Sequence, residues 1–423
     1  MKNRVLALQV WLLAVLASPC VAAAGSSPAS EASLSLAEAV QRTLDSHPEL
    51  QVARLEVDAE RARRDFEAQG LPVALEAEVE RIAGSGAASG IDNAEVTLQL
   101  SRVLERGDKP ELRYDIGDRR VDRARIGEQS TTLALARTAT SRFIDVVVLQ
   151  ERAVLAQHSV RIASDTLELV RARVEAGRSS RAEESTARVE LSRAELGRLD
   201  IERQLEAARL ALARLWQDSQ PAFGRADANV YRLPEPPDYG SLEERLDNNP
   251  EMRRRAAEFQ LLQAQRRLAD AQQKADVSIS GGVKRLGESG DVGLVFSVSM
   301  PFGSAARARP LIEQSELLLE QNPAVARAQM VELRTVLAGL YSELRFARQA
   351  STRLQDEIVP EAKNAVGLYE DAYRVGSGTL LELTRAQKEM LALQQELVDS
   401  AGHYHATLME IEYLLGASYE VEP

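Results

Sequence analysis

The sequence predicts a mainly α-helical chain with a small β part, in which one structural plan is used twice. Three observations support this prediction. The chain contains an internal repeat of about 200 residues, its longest segments are rich in Ala, Leu, Glu and Arg, and four short segments alternate apolar and polar residues. Alternation at every second position is typical of strands, whereas long segments of strong helix formers are typical of helices.

Two halves of the chain align with nearly constant offsets. Residues 44–50 read LDSHPEL and residues 246–252 read LDNNPEM, while Gly376 follows Gly177 by 199 residues. Such a unit is too long for a solenoid repeat and indicates a duplicated domain. The predicted parts are a first repeat at 25–219, a stiff proline-rich linker at 220–240, a second repeat at 241–416 and a short tail at 417–423.

The first 24 residues have the composition of a secretory signal peptide. Lys2 and Arg4 precede an apolar run at residues 6–17, and three alanines at residues 22–24 supply a cleavage site. Cys20 is the only cysteine, and Pro19 stands where a lipobox requires a small residue. We therefore expect an unlipidated mature chain without cysteine.

The mature chain is acidic. Loss of Lys2 and Arg4 leaves 50 of the 52 basic residues against 64 acidic residues, a net charge of −14. This balance argues against a nucleic-acid partner, because nucleic-acid binding requires clustered positive charge.

Each repeat is predicted to begin with one helix, at residues 36–69 and 241–276, with Ser35 and Ser241 as N-caps. A very long helix follows the strands, at residues 110–176 and 307–375. An unbroken helix of this length would extend roughly 100 Å, which no compact core requires. Glycines 177 and 376 then end the long helices and reverse the chain into returning helices. Pro323 predicts a break or restart inside the second long helix.

The strands are predicted in two pairs, at residues 73–104 and 277–302. Amphipathic strands of about ten residues suit a membrane β-barrel with lipid outside and water inside. The commoner alternative is an antiparallel sheet that covers a soluble core. Four strands cannot close a barrel, so a barrel would require several copies of the chain. The predicted water-facing residues are Glu76, Glu78, Glu80, Glu95, Thr97, Gln99, Ser297 and Ser299.

Several motifs resemble the TolC-type outer-membrane efflux factor family over nearly the whole mature chain. The strongest is YRVGSGTLLELTRAQ at residues 373–387, and the duplication and the SMPF segment at 299–302 add to it. The segment LQLSRVLERGDK at 98–109 is similar to the heavy-metal (CzcC-like) branch of the family. It departs from that branch at Val103 and at residues 107–109, where a proline and Gly-Gly-Lys are common.

The resemblance implies a homotrimer in which each subunit contributes four strands to one twelve-stranded transmembrane β-barrel. The long α-hairpins would form a helical barrel that crosses the periplasm of a Gram-negative bacterium. The function implied is a passive duct in the outer membrane for small solutes, either metal ions or drugs. A periplasmic adaptor protein and an inner-membrane efflux pump would deliver them, and outer-membrane lipid would surround the strands.

The resemblance also assigns roles to the two glycine turns. The tips of both hairpins would meet the adaptor, and acidic residues near the second tip would line the gate. The adaptor-contact candidates are Gly177, Arg178, Ser179, Val375, Gly376, Ser377, Gly378, Thr379, Leu380 and Leu381. The gate candidates are Glu370 and Asp371, beside Tyr369 and Tyr373, whose i, i+4 spacing predicts a packed seam.

Catalytic motifs are absent from the sequence. It contains no HExxH, P-loop or GxSxG pattern, so we expect neither enzymatic activity nor a cofactor. His403 and His405 are two positions apart on a predicted helix and point in different directions, so no metal site is assigned. Two alternative functions remain open, a periplasmic adaptor and a coiled-coil scaffold. Dependence of the purified protein on detergent would distinguish the channel from both.

Overall fold

The computed structural model describes residues 32–82, 84–86, 91, 93–221, 223–287 and 289–417. The predicted signal peptide with Cys20 lies outside the described residues, as does the predicted tail beyond residue 417. Within the described part of the chain, long helices dominate and a four-stranded sheet forms the main β element, which confirms the predicted fold class. No helix in these ranges is both long enough and apolar enough to cross a membrane.

Each predicted first helix is in fact interrupted before a proline. In the first repeat, α1 (Leu36–Ser46) and α2 (Pro48–Glu67) flank His47, which has extended backbone angles. In the second, α5 (Tyr239–Glu244) and a 3₁₀ turn precede Asn249, and α6 (Pro250–Ala271) follows it. The prediction of single helices was wrong because proline disfavours helical angles at the residue before it.

Of the two N-caps predicted for these helices, one is present in the structure and the other is not. The hydroxyl of Ser35 accepts a hydrogen bond from the backbone N–H of Glu38, which confirms the predicted cap. Ser241 is not a cap, because α5 begins at Tyr239 and the carboxylate of Asp238 accepts from the N–H groups of Gly240 and Ser241. An aspartate at this position satisfies N–H donors that the first turn leaves unpaired.

The first hairpin consists of α3 (Lys109–Glu175) and α4 (Arg181–Ala213). With 67 residues, α3 is continuous and extends roughly 100 Å.

The second hairpin consists of α7 (Ser304–Arg353), a π-helical segment (Leu354–Ile358), α8 (Val359–Val375) and α9 (Leu380–Leu414). The predicted break at Pro323 was wrong, because α7 continues through both Pro310 and Pro323. Pro323 is exposed, so the carbonyl that it leaves without an N–H donor can be hydrated. The helical hydrogen bonding changes instead at the π-helical segment, which ends two residues before Pro360 in the first turn of α8. A π-turn shifts the hydrogen-bond register and accommodates a residue without an N–H group.

The sheet combines strands from both repeats in the order β2 (Ala74–Glu80), β3 (Glu95–Leu104), β5 (Val277–Arg285) and β6 (Val292–Ser299), all antiparallel. The central pair joins β3 of the first repeat to β5 of the second. Two further short strands, β1 (Ala32–Leu34) and β4 (Phe223–Ala226), pair in parallel elsewhere. The repeats are therefore interleaved within one structure.

The core lies along the helical part, where the two repeats meet. One buried cluster brings Phe143 and Val146 of α3 against Leu212 of α4 and Phe223 of β4. A second cluster includes Leu337 of α7 and Tyr404 and Ile411 of α9. The proline-rich segment is packed against this core, since the hydroxyl of Tyr404 donates to the carbonyl of Pro234 over 2.5 Å. The segment thus contributes to the packing that joins the repeats.

Ion pairs fix the passage from the sheet to the helices. Arg113 of α3 binds Glu105, which directly follows β3, through two hydrogen bonds of 2.5 and 2.8 Å. Lys109 donates to Asp276, which directly precedes β5, over 2.7 Å. The hydrogen bonds from Arg113 hold the pKa of the Glu105 carboxyl below its usual value. Both ion pairs join the start of α3 to residues that adjoin β3 and β5, and they therefore fix the direction of α3 relative to the sheet.

Candidate functional site

The two faces of the sheet have opposite chemistry. The register places Leu75 opposite Leu100, Leu98 opposite Val283 and Val283 opposite Leu294, so the apolar side chains of all four strands share one face. These side chains are exposed, up to 79% for Phe296 at the centre of β6. A continuous exposed apolar face on a sheet is far larger than the isolated apolar residues that soluble surfaces carry.

The opposite face carries a hydrogen-bonded polar network. Gln99 donates to Glu76 over 2.7 Å and accepts from Ser280 over 3.2 Å. Lys284 contacts Glu80 at 2.6 Å and Glu95 at 2.7 Å. All predicted water-facing residues lie on this face, namely Glu76, Glu78, Glu80, Glu95, Thr97, Gln99, Ser297 and Ser299. Glu95 and Thr97 are buried within the chain, whereas the three glutamates of β2 are exposed.

Both hairpins turn at a glycine with left-handed backbone angles. Gly177 has φ 70° and Gly376 has φ 94°, which L-residues rarely adopt. The next helix starts at once because Ser180 caps α4, and Thr379 forms a reciprocal capping box with Glu382 at the start of α9. The helix ends and restarts therefore follow from local sequence at both turns.

The two turns are joined by contacts between the repeats. The Arg173 guanidinium lies 4.5 Å from the ring centroid of Tyr373 and donates to the Tyr373 carbonyl. It also donates to Ser179 Oγ over 3.1 Å, while the Tyr373 hydroxyl donates to Glu183 over 3.2 Å. Burial raises the pKa of the Tyr373 hydroxyl, so that group stays a donor at neutral pH. Sequence reasoning missed Arg173 and Glu183, because their partner is about 200 residues distant.

The exposed part of the tip is smaller than the predicted adaptor-contact set. Val375 is 79% exposed and Leu381 is 77% exposed. Leu380 is buried against Leu383 and Tyr373, so it presents little surface in the single subunit, and its assignment as a contact residue stays a prediction. The polar members of the set lie beside these two side chains; Gly177, Arg178, Gly376, Ser377 and Thr379 are exposed, and Ser179 and Gly378 are half-buried.

The gate candidates lie on the last two turns of α8 and share a cation. Arg374 contacts Glu370 at 2.7 Å and Asp371 at 3.5 Å. Of the two tyrosines predicted to form a packed seam, Tyr373 is buried, whereas Tyr369 is 43% exposed within the chain. The prediction for Tyr369 was therefore wrong for the single subunit, because the described residues leave much of its side chain exposed.

The two histidines near the end of α9 do not converge on one point. His405 is buried and lies 2.9 Å from the carbonyl of Val230, and burial lowers the pKa of its imidazole. His403 is exposed, 3.9 Å from Glu343. Among the described residues, no group of three or more His, Cys, Asp or Glu side chains is placed to hold a metal ion.

The amino-acid sequence matches a known protein family and a characterised relative. The sequence profile of the outer membrane efflux protein family matches residues 39–217 and 241–417. The cobalt-zinc-cadmium resistance protein CzcC of Cupriavidus metallidurans is 26% identical over 380 residues, which cover 82% of this chain and 90% of CzcC.

Solved structures share the fold at lower identity. The outer membrane protein VceC of Vibrio cholerae matches with a TM-score of 0.71 at 16% identity, over 91% of this chain and 97% of VceC. The open state of the outer membrane channel MtrE of Neisseria gonorrhoeae matches with a TM-score of 0.72 at 16% identity, over 92% of this chain and 90% of MtrE. The family predicted from the sequence is thereby confirmed: the chain belongs to the outer membrane efflux protein family and is the outer-membrane channel component of a tripartite efflux system.

Proposed function

We propose that three copies of the chain close one twelve-stranded β-barrel and act as a passive duct across the outer membrane and the periplasm. The observation that carries this proposal is the two-faced sheet. Its apolar face suits contact with lipid and its hydrogen-bonded acidic face suits a water-filled interior.

The edges of the sheet support assembly. In the order β2-β3-β5-β6, strands β2 and β6 each have one edge without a partner strand among the described residues. Unpaired N–H and C=O groups cannot be left exposed to hydrocarbon, and four strands are too few to close a barrel. Pairing β6 of one copy with β2 of the next satisfies both edges, and three copies give twelve strands.

The helical hairpins provide the length of the duct. The helix α3 starts five residues after β3 ends, and its 67 residues extend roughly 100 Å from the sheet to the tip. Pairs of long helices from three subunits would enclose a continuous interior, in agreement with the predicted helical barrel. A periplasmic adaptor, which would connect the duct to an inner-membrane pump, would contact the exposed Val375 and Leu381 at the tip.

Metal cations are the cargo that we favour. The relative CzcC is described as a cobalt-zinc-cadmium resistance protein. The polar face of the sheet carries four glutamates, Glu76, Glu78, Glu80 and Glu95, against two cations that pair with them, Lys284 and Arg81. An acidic interior raises the local concentration of cations, although a duct need not bind its cargo. Organic compounds are the alternative, and metal accumulation in cells with and without the chain would distinguish the two.

The gate assignment is tested by ion selectivity. Threefold repetition would gather Glu370 and Asp371 into an acidic ring, which Arg374 partly neutralises. In planar bilayers, Glu370→Gln with Asp371→Asn is expected to lower cation selectivity, and Arg374→Gln is expected to raise it. Unchanged selectivity in both variants, with the trimer intact, would remove these residues from the gate.

The proposed function is tested by measuring the mass of the purified particle and its dependence on the outer membrane and on detergent. Light scattering in mild detergent is expected to give three subunits per particle for protein extracted from outer membranes. A stable monomer with a closed sheet would contradict the proposal, as would a protein that stays soluble without detergent.

A further inference from the structure

Two arginines lie on the otherwise apolar face of the sheet. The register pairs Arg102 of β3 with Ile279, and Ile279 with Val298. It pairs Arg285 of β5 with Val96 and with Val292. Both arginines therefore share a face with side chains that the proposed barrel presents to lipid, and both are exposed. A cation in contact with hydrocarbon is costly unless it reaches a polar group.

These arginines differ from the other cations of the sheet. Lys284 contacts two glutamates, and Arg81, at the end of β2, contacts Glu95 at 2.9 Å. Among the described residues, the side chains of Arg102 and Arg285 take part in no ion pair and no hydrogen bond. Their guanidinium groups therefore have no anionic partner in the part of the chain that the structure describes.

Their spacing matches the two surfaces of a membrane. Arg102 is level with Ile279, six residues before Arg285 on β5, which is roughly 20 Å along a strand. A tilt of about 40° reduces this to about 15 Å of depth, while the apolar band of such barrels is about 25 Å tall. The difference is about 5 Å at each end, which an extended arginine side chain can cover by reaching outward past its own Cα.

Two rows that contain only apolar side chains or glycine separate the arginines. One row contains Leu98, Val283 and Leu294, and the other contains Leu100, Gly281 and Phe296. Arg102 lies toward the end of β3 that leads into α3, whereas Arg285 lies at the loop end of the β5–β6 hairpin. The two cations thus mark opposite boundaries of the apolar band.

We propose that Arg102 and Arg285 bind phosphate groups of membrane lipids, Arg102 in the periplasmic leaflet and Arg285 in the outer leaflet. This inference rests on the proposed insertion of the sheet in the outer membrane. Guanidinium binds phosphate through paired hydrogen bonds, and it is more weakly hydrated than ammonium, so it suits the boundary between headgroups and hydrocarbon. Two such anchors per subunit fix the depth of the barrel in the bilayer.

The test measures stabilisation of the detergent-purified trimer by added lipid. Phosphatidylglycerol, phosphatidylcholine and inorganic phosphate are titrated separately, and the temperature of trimer dissociation is recorded. Wild type is expected to be stabilised at lower concentrations of phosphatidylglycerol than of phosphatidylcholine, and inorganic phosphate is expected to have no effect. Arg102→Gln and Arg285→Gln should each raise the phosphatidylglycerol concentration for half-maximal stabilisation at the affected site about fivefold.

Matched variants separate lipid binding from other effects. Arg225→Gln removes an exposed strand arginine outside the four-stranded sheet and should behave as wild type. Arg285→Lys keeps the charge and should retain most of the preference for phosphatidylglycerol. Equal stabilisation of wild type and both glutamine variants by phosphatidylglycerol would overturn the proposal. Absence of any trimer in wild type would instead contradict the proposed function.

Discussion

Replacing Phe296 by arginine tests the orientation of the sheet most sharply. Phe296 is 79% exposed, and it lies in one of the two rows that contain only apolar side chains or glycine. Its ring covers Gly281, where a Cβ would lie 3.4 Å from two ring carbons. An arginine near the midplane of a membrane barrel costs about 2–4 kcal/mol, and the trimer contains three copies, so the expected cost is about 6–12 kcal/mol per barrel.

The neighbouring residue supplies the matched control. Ser297 is also exposed, but it lies on the polar face opposite Ser280. The assay compares the amount of heat-labile trimer in outer membranes for Phe296→Arg and Ser297→Arg at equal expression. A cost of about 2–4 kcal/mol at one site corresponds to a loss of more than tenfold, so Phe296→Arg should leave little trimer. Equal yields of the two variants would refute the assignment of the two faces.

Three further predictions concern stability at the hairpin tips and at the passage from the sheet to the helices. Gly376→Ala should destabilise the chain by about 1–2 kcal/mol in thermal unfolding, because Gly376 has a left-handed backbone. The control Gly367→Ala, inside α8, should be neutral or stabilising. Equal effects of the two substitutions would contradict this account. Glu105→Gln should cost about 1–2 kcal/mol at pH 7. Because the pKa of Glu105 is lowered in the folded state by Arg113, its contribution is present above pH 4.5 and is lost as the pH falls through the lowered value, so the gap between variant and wild type should close in acid. Arg173→Gln should cost about 1–3 kcal/mol and speed proteolysis at the tip; unchanged protection would show that the two turns do not depend on this contact.

Elements that depend on local pattern could be predicted from the sequence. The strand faces follow from alternation at every second residue, so Leu98 and Gln99 could be assigned to opposite faces before their partners were known. The hairpin tips follow from glycines that tolerate positive φ and from Thr379 and Glu382 as a capping box. The repeat offset added a second, independent instance of each pattern.

Some errors concern signals that were present but were given the wrong weight. His47 and Asn249 each precede a proline, and this position could have indicated the interruptions of the first helices. Pro323 was given too much weight, because α7 continues through this exposed proline. The π-helical segment at Leu354–Ile358 has no local signature beyond the nearby Pro360.

Contacts between the repeats could not be predicted from a single sequence. Arg173 and Tyr373 are 200 residues apart, close to the repeat offset of 199, but a repeat shows only which positions are equivalent and not which side chains are in contact. The same applies to Leu380, whose burial depends on Leu167 and Val170 of the other hairpin. Tertiary packing decides which side chains at a turn are exposed, and composition alone does not contain that information.

Pairing between the edge strands of neighbouring subunits is the most direct measurement of the central claim. Cys20 is the only cysteine and lies in the predicted signal peptide, so engineered pairs have no competing thiol in the mature chain. Glu78→Cys in β2 is combined in turn with cysteine at Gly293, Val295 or Ser297 in β6, all on the polar face, and the membrane-inserted protein is oxidised. We predict covalent dimers and trimers for at least one pair. Only intramolecular disulfides, or no disulfide in any correctly inserted pair, would contradict a barrel closed by three chains.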